Sequence, residues 1–284
     1  MAQSIRQIKN RIRSIQNTEK VTSAMQMISF TKLNRIDNYL FAARPYFTKL
    51  ESLLNNLISS SENFLSPYLE KRLLKKKIVL CVITSDNGLC GIYNNNIIRL
   101  AEDFINSYGK GRIDLVVVGR RGYNYFKKRG INIINSFIGI NAKFSDKISN
   151  EITNYLINIF LSRQADEVYI AYTFYENTLT QRPVLRKYLE LEHEAGRRID
   201  YIFETGTEKI LDKLITSYMS MKMKVVLLES ITSELAARSF AMKAATDNAR
   251  DLLKGLILLR NKQRQANITR EMLEIISSAE ALKG

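Results

Sequence analysis

Two long segments at the ends of the chain contain almost no residues that interrupt a helix. One proline, Pro45, falls within residues 1–60, and one glycine, Gly255, falls within residues 207–283. Ten of the twelve glycines lie between these two segments. Since glycine and proline are the strongest local breakers of regular structure, the sequence predicts two long helical arms that flank a glycine-rich middle.

Apolar residues in both arms recur at alternating steps of three and four, which is the spacing of a coiled-coil seam. The first arm begins with isoleucines at this spacing, namely Ile5, Ile8, Ile12 and Ile15. Its main repeat follows and consists of Leu33, Ile36, Leu40, Ala43, Phe47, Leu50, Leu54 and Leu57. In the last arm the repeat consists of Leu211, Leu214, Tyr218, Met221, Val225, Leu228, Thr232, Leu235, Ser239, Met242, Thr246, Ala249, Leu253 and Leu256. Because the arms lie at opposite ends of the chain, we expect them to pack antiparallel, each covering the other's seam.

The predicted helices are longer than an ordinary domain is wide. At a rise of about 1.5 Å per residue, the last arm would extend for roughly 110 Å, so we expect it to project from the globular part. Pro45 removes a backbone hydrogen bond and is expected to kink the first arm or to restart it. We divide the chain into an N-terminal coiled-coil helix (1–60), an α/β domain (75–205) and a C-terminal coiled-coil helix (207–284).

The middle of the chain alternates between strand-like and helix-like stretches. The runs that favour strands are KIVLCVIT, IDLVVVG, INIINSF, DEVYIAYTFY and RPVLRKYLELE. Helical stretches separate the first four of them, at about residues 94–107, at RRGYNYFKKRG and at residues 145–162. This order predicts a Rossmann-like α/β insert domain with a mostly parallel sheet and right-handed crossovers.

The chain is strongly basic, with 43 Lys and Arg against 28 Asp and Glu and a net charge of +15. Such an excess suits nucleic acid, an anionic membrane surface or an acidic protein. One cluster in the first arm comprises Arg6, Lys9, Arg11, Arg13, Lys20, Lys32 and Arg35, with a single acid, Glu19. A second cluster in the last arm comprises Arg250, Lys254, Arg260, Lys262, Arg264 and Arg270, with Asp251. Antiparallel arms would bring the two clusters together, so we expect an acidic partner around that end.

The sequence offers little for catalysis or for metal binding. It has one histidine and two cysteines, Cys81 and Cys90, which form no CxxC pair. The loop SDNGLCG follows a predicted strand but lacks the glycine signatures of phosphate-binding loops, and the GxxG that begins at Gly119 is no more specific. We predict a tight turn, a buried or half-buried Cys90, and no catalytic, cofactor-binding or metal-binding residue. Without an apolar run of 18 residues, we expect no transmembrane segment.

Three segments together carry a resemblance to a known family. They are IRQIKNRIRSIQNTEKVTSAMQMIS near the start, TSDNGLCGIYNNNI in the middle and AMKAATDNARDLLKGLILLRNKQRQANITREMLEI near the end. They resemble the gamma subunits of the rotary proton-transporting ATP synthases. The resemblance covers both arms and the first strand, loop and helix of the middle, whereas residues 125–200 carry little that is diagnostic.

The resemblance implies a non-catalytic rotor that couples proton flow through a membrane ring to ATP synthesis on other subunits. The paired arms would form a shaft inside a hexamer of alpha and beta subunits, with a polar surface and with apolar residues confined to the seam. The α/β domain would hold the epsilon subunit, and a foot would rest on the ring of c subunits. The start at MAQSIRQIKNR implies a bacterial protein, peripheral on the cytoplasmic side of the inner membrane. The cysteine pair that plastid members use for redox control is not matched, so we predict no thiol switch of that kind.

The resemblance also implies roles for particular residues. Lys20 and Met25 resemble the positions that meet an acidic, moving segment of a catalytic subunit. The positions that resemble other contacts to catalytic subunits are Arg264, Gln265 and Thr269 in RQANIT, and Cys90 in GLCG. The foot corresponds to Tyr201, Phe203 and Glu204. The family has tyrosine where this chain has Phe203, so a hydroxyl contact at that position is not expected.

Three other functions are compatible with parts of the sequence. A basic coiled-coil protein that binds nucleic acid would account for the charge, although the arms lack interleaved aromatic residues for base stacking. A small-molecule enzyme could be built on the α/β domain. A stalk subunit of the related vacuolar-type enzymes would have long arms, but those proteins lack an α/β insert between them.

Overall fold

The computed structural model divides into two compact units. The residues that it describes are 5–60, 66–69, 77–109, 111–191 and 207–281. The first unit, here called the helical unit, consists of Met1–Ile28 and Ser239–Gly284. The second, the α/β unit, is Ser29–Arg238. Two helices, α1 (Ile5–Ser60) and α5 (Thr207–Ala281), contribute residues to both units, which confirms the two long helices predicted from the sequence.

The α/β unit contains a five-stranded sheet. Its elements in chain order are β1 (Ile78–Ile83), α2 (Tyr93–Tyr108), β2 (Ile113–Val118), α3 (Arg120–Lys128), β3 (Ile133–Phe137), α4 (Asp146–Leu161), β4 (Glu167–Tyr175) and β5 (Gln181–Leu189). The strand order is β3-β2-β1-β4-β5. All neighbouring strands are parallel except β4 and β5, which are antiparallel. The predicted Rossmann-like, mostly parallel insert is therefore confirmed.

Both faces of the sheet are covered, which explains why its strands are continuous apolar runs. Successive residues of a strand point to opposite faces. On one face, Leu80 and Val82 pack with Ile97 of α2. On the other face, Cys81 packs in a core that includes Leu54 of α1 together with residues of α4 and α5. The coiled coil thus supplies one of the two layers that the sheet requires.

Within the α/β unit, α1 and α5 pack through the predicted seam. Leu33, Leu40, Leu228 and Leu235 lie in one buried cluster. Closer to the C-terminal end of α1, Glu51 accepts a hydrogen bond of 2.9 Å from the hydroxyl of Tyr218 on α5. Seam residues with higher numbers on α1 therefore meet residues with lower numbers on α5, so this pair is antiparallel, as expected.

Within the helical unit the same two helices pair through a seam that is partly polar. Ile8, Ile12 and Leu253 form a small buried cluster. The buried hydroxyls of Thr22 and Thr246 lie 2.8 Å apart, within hydrogen-bonding distance. Polar residues at seam positions are a known means of fixing register in coiled coils, and this pair bonds across the seam.

Helix α1 does not restart at Pro45, because a single helix spans Ile5–Ser60 with the proline inside it. An interior proline removes one backbone hydrogen bond and crowds the carbonyl one turn earlier. Pro45 is exposed, so its replacement opens no cavity. We expect Pro45→Ala to raise the free energy of unfolding by about 1–3 kcal/mol, as measured by urea denaturation. A loss of stability would show that the local distortion is needed for packing.

None of the helices, over the residues described, holds an apolar stretch of the length that crossing a bilayer requires.

Candidate functional site

The predicted contact residues of the helical unit lie on both long helices. Lys20 is exposed and Met25 is half-buried on α1, whereas Arg264, Gln265 and Thr269 are exposed on α5. The Thr269 hydroxyl donates a 3.0 Å hydrogen bond to the backbone carbonyl of Gln265. The Thr269 hydroxyl is therefore bonded within its own helix, while the exposed Arg264 and Gln265 side chains lie on the same stretch of α5.

These contact residues lie at two different levels of the helix pair. Arg250 Nε donates a 2.8 Å hydrogen bond to Glu19, so Lys20 is level with that part of α5. Arg264 follows fourteen residues later, a separation of about 21 Å along the helix axis. The two predicted contacts therefore do not face one another across the seam, and they form two separate patches.

Most of the two basic clusters meet in the helical unit, as antiparallel packing predicts. The basic residues that lie in the helical unit are Arg6, Lys9, Arg11, Arg13 and Lys20 from α1, and Arg250, Lys254, Arg260, Lys262, Arg264 and Arg270 from α5. Lys32 and Arg35 belong instead to the α/β unit. Arg250 pairs with Glu19, and Lys254 lies 3.0 Å from Asp251. Exposed pairs of this kind are weak, so the unit keeps a strongly positive surface.

The expectation that apolar residues are confined to the seam is wrong for the last part of α5. Leu258 is 70% exposed and Ile275 is 69% exposed. The other exposed apolar residues of this stretch are Leu252, Ile257, Leu259, Ile268, Met272, Leu273 and Ile276. One seam covers only one stripe of a helix, whereas these residues lie on several sides. A large exposed apolar surface of this kind is typical of an interaction site.

In the α/β unit, Asp86 of the SDNGLCG loop accepts hydrogen bonds from three backbone amides. Its carboxylate accepts hydrogen bonds from the backbone N–H groups of Arg120 at 3.0 Å, Gly139 at 3.0 Å and Asn141 at 2.8 Å. These amides belong to the start of α3 and to the connection after β3. The carboxylate therefore holds the loop that follows β1 to the segments that follow β2 and β3.

The same loop is bound to α5 by Arg238. Its guanidinium donates hydrogen bonds of 3.2 Å to the carbonyls of Gly88 and Asn87, and one of 2.6 Å to Glu234. The Arg238 and Glu234 side chains are only 8% and 6% exposed. Burial raises the pKa of the Glu234 carboxyl, and the Arg238 cation acts against that rise. The contact joins the insert to the coiled coil at a site that excludes water.

Cys90 is buried in this loop, as expected. Asn94 Nδ2 donates to its sulfur at 3.1 Å, and the Ser85 hydroxyl lies 3.7 Å away. Burial raises the pKa of the Cys90 thiol above its ordinary value. Burial also raises the pKa of Cys81 to about 12. Because the thiolate is the reactive form, neither cysteine is arranged as a nucleophile.

The GxxG at Gly119 serves packing. Gly119 has a φ of +94°, and a Cβ there would lie 2.2 Å from the carbonyl oxygen of Thr84. A Cβ on Gly122 would lie 2.8 Å from the Thr84 hydroxyl, which accepts a 2.9 Å hydrogen bond from the Gly122 amide. Thr84 therefore packs directly against both glycines, which explains why neither position can carry a side chain without a shift. The described residues also include no group of three or more His, Cys, Asp or Glu side chains that could hold a metal ion.

The three predicted foot residues, Tyr201, Phe203 and Glu204, lie outside the described residues. Sequence reasoning overlooked Asp86, Glu234 and Arg238 as structural residues. A weak signal was present, since a Glu and an Arg four residues apart stand within a largely apolar stretch of the last arm.

Comparison with known proteins identifies relatives along the whole chain. The model of the family described as ATP synthase matches residues 4–282. The ATP synthase gamma chain of Protochlamydia amoebophila is 37% identical over 284 residues, and that of Chlorobium phaeobacteroides is 36% identical over 291 residues; each alignment covers 99% of both chains. A chain in the Euglena gracilis mitochondrial ATP synthase structure (OSCP/F1/c-ring, rotational state 3) shares the fold, with a TM-score of 0.71 at 16% identity, covering 98% of this chain and 94% of that chain. The chain therefore belongs to the family of ATP synthase gamma chains.

Proposed function

We propose that this chain is the central-stalk, or rotor, subunit of a proton-transporting ATP synthase, which couples proton flow through a membrane ring to ATP synthesis by rotation. The observation that carries the proposal is the match to gamma chains over 99% of the sequence. The chain itself is non-catalytic, and ATP is made on partner subunits. The structural relative from Euglena gracilis belongs to an assembly that contains F1 and a c-ring.

The surface of the helical unit suits a shaft that turns inside other subunits. Its seam is closed within the chain by clusters such as Ile8, Ile12 and Leu253. Its outer surface combines positive charge with exposed apolar residues such as Leu258 and Ile275. We propose that residues 1–60 and 207–284 form the shaft inside a hexamer of alpha and beta subunits. Each orientation of the shaft then stabilises a different conformation of each catalytic subunit through different contacts.

Particular residues are proposed to contact the catalytic subunits. Lys20 and Met25 face an acidic, moving segment, and Arg264, Gln265 and Thr269 face a loop about 21 Å further along the shaft. Contacts between a cation and an acid, or between amides and a loop, are worth a few kcal/mol and can be released as the shaft turns. The Cys90 side chain is buried, so a contact there is made by its exposed neighbour Leu89.

Other partners follow from family membership. We propose that residues 75–205 form a docking domain for an epsilon subunit. Tyr201, Phe203 and Glu204 are proposed to form the foot on the polar loops of the c-ring. The chain then lies on the cytoplasmic side of a bacterial inner membrane as a peripheral protein. Binding of nucleic acid is the alternative for a basic coiled coil, and none of the relatives described above favours it.

Reconstitution tests the proposal directly. The full chain and a form that lacks residues 264–284 are each mixed with purified alpha and beta subunits, and assembly and ATP hydrolysis are measured. We expect the full chain to join the hexamer and to support ATP turnover, and the truncated chain to support less. A chain that neither joins the hexamer nor changes its ATPase would overturn the proposal, and salt-dependent binding to duplex DNA would then be measured.

Met25→Lys is expected to impair coupling more than folding. The change adds a cation within a basic surface and alters a proposed moving contact. In reconstituted vesicles we expect ATP-driven proton pumping to fall several-fold more than ATP hydrolysis, with an unchanged unfolding transition. Met27→Lys is the matched control, since Met27 is 70% exposed two residues further along the same helix. Normal pumping by the Met25→Lys complex would remove Met25 from the proposed contact.

A further inference from the structure

A cavity of about 610 Å³ lies in the α/β unit between the sheet and both long helices. Arg44 lines it from α1, Phe174 and Arg186 line it from the sheet, and Lys222 and Glu229 line it from α5. Its volume is in the range of sites for small molecules, roughly 300–1,000 Å³. The residues that line it include none of the SDNGLCG loop and none of the individual positions proposed to contact catalytic subunits, although they belong to the segments proposed to form the shaft and the docking domain.

The walls of this cavity combine aromatic rings with cations. The guanidinium carbons of Arg44 and Arg186 each lie 5.4 Å from the centre of the Phe174 ring. Lys222 Nζ lies 5.6 Å from the centre of the Tyr188 ring. These distances are within the reach of cation–π attraction, about 6 Å. The rings therefore hold three cations next to flat apolar surfaces.

Arg44 forms a close ion pair with a carboxylate of the cavity wall, whereas Arg186 forms none with the described residues. Arg44 Nη2 lies 2.7 Å from Glu229 Oε1, and the same guanidinium donates to the backbone carbonyl of Tyr175. The other carboxylate on the wall, Glu51, accepts the hydroxyl of Tyr218. Among the described residues, no carboxylate lies within ion-pairing distance of Arg186.

Arg186 is an exposed residue that lines the cavity, and its guanidinium lies over the Phe174 ring. Burial raises the pKa of the Glu229 carboxyl, and the cations of Arg44 and Arg186 act against that rise. Burial also raises the pKa of the Tyr172 hydroxyl, which lines the cavity, and the Arg186 cation acts against that rise. The positive charge of Arg186 therefore favours negative charge on groups that line the cavity, and it would favour a bound anion in the same way.

We propose that this cavity binds a small aromatic carboxylate. The ligand ring packs against Phe174, because aromatic rings favour offset or edge contacts with one another. The carboxylate bonds to Arg186, since a guanidinium matches a carboxylate with two parallel hydrogen bonds. Lys222 adds a second positive charge at the α5 side. A ligand held in this way touches the sheet and α5 together. The inference concerns this chain alone and does not rest on the proposed rotor function.

Fluorescence anisotropy of 2-naphthoate with the full chain tests the proposal. The chain has no tryptophan, so the signal of the ligand is free of tryptophan emission. We expect saturable binding, and binding at least tenfold weaker for neutral 2-naphthamide. Arg186→Gln is expected to weaken 2-naphthoate binding about tenfold, which corresponds to about 1.4 kcal/mol.

Two further variants make the test specific. Arg99→Gln removes the same charge from an exposed position on α2, which packs on the opposite face of the sheet, and it should leave the affinity unchanged. Phe174→Leu keeps an apolar side chain but removes the ring, and it should weaken binding several-fold. The proposal is overturned if 2-naphthoate does not bind saturably, if the neutral amide binds equally well, or if Arg99→Gln weakens binding as much as Arg186→Gln.

Discussion

Arg238→Met is expected to lower the free energy of unfolding of the α/β unit by about 3–5 kcal/mol, because removal of one partner leaves a buried charge uncompensated. Methionine fills much of the same space, so the loss comes from Glu234 and from the carbonyls of Asn87 and Gly88, which lose their donor. All fourteen tyrosines lie within Ser29–Arg238. Tyrosine circular dichroism during urea denaturation therefore reports on this unit alone.

The loss in Arg238→Met should depend on pH. Burial already raises the pKa of Glu234, and removal of the cation raises it further. Below the unfolded value, about 4.3, both states hold the proton, so only the part of the loss that comes from the Asn87 and Gly88 carbonyls remains. As the pH rises above that value, the unfolded state releases a proton that the folded state keeps, so stability falls.

A second substitution separates the charge from the packing. In Arg238→Met with Glu234→Gln, the buried group no longer ionises, so we expect part of the stability to return and the added pH dependence to disappear. If Arg238→Met unfolds like the parent chain, or if its loss is the same at pH 4 and pH 7, Glu234 is not the source of the effect.

Asp86→Ala is expected to destabilise the α/β unit by about 3–4 kcal/mol. Hydrogen bonds to charged groups contribute about 1.5–3 kcal/mol each, and they are not additive. Asp86 makes three of them to backbone amides, and all three amides lose this acceptor when the carboxylate is removed. Asp86→Asn should cost less, because it keeps one acceptor oxygen. The measurement is the same tyrosine-monitored denaturation.

The control for Asp86 is Asp103→Asn, at an exposed acid on α2. Surface substitutions of this kind change stability by less than about 0.5 kcal/mol. A loss in Asp86→Ala no larger than that of the control would mean that the loop is held by Arg238 rather than by the carboxylate.

The sequence was sufficient to predict the elements whose signal is local. The seam positions of α1 and α5, and the strands β1 to β4, show regular spacing or short β-branched runs that need no partner to be recognised. The restart proposed at Pro45 was wrong, because the seam residues on both sides of it, Ala43 and Phe47, pack in the core and the helix continues through the proline.

The links between distant parts of the chain could not be predicted. Arg238 is 150 residues from Gly88, and Arg44 is 185 residues from Glu229. No periodic pattern connects such residues, since their meeting depends on how the sheet packs against the coiled coil. The exposed apolar residues of α5 are a different case. The run LILL at residues 256–259 contains three apolar residues besides the seam residue Leu256, and a single seam covers only one stripe of a helix.

The pair formed by Thr22 and Thr246 acts as an alignment mark between two helices that could otherwise slide. A coiled-coil repeat looks nearly the same after a shift of seven residues, so apolar contacts alone distinguish poorly between neighbouring alignments. A shift in one direction would place Thr246 opposite Ile15, and a shift in the other would place Thr22 opposite Leu253. Either slip would remove the hydrogen bond between the two hydroxyls, worth about 0.5–1.5 kcal/mol, while each hydroxyl kept its contact with a carbonyl of its own helix. The threonine pair therefore adds a preference for one alignment of the two helices to the preference that the apolar seam supplies.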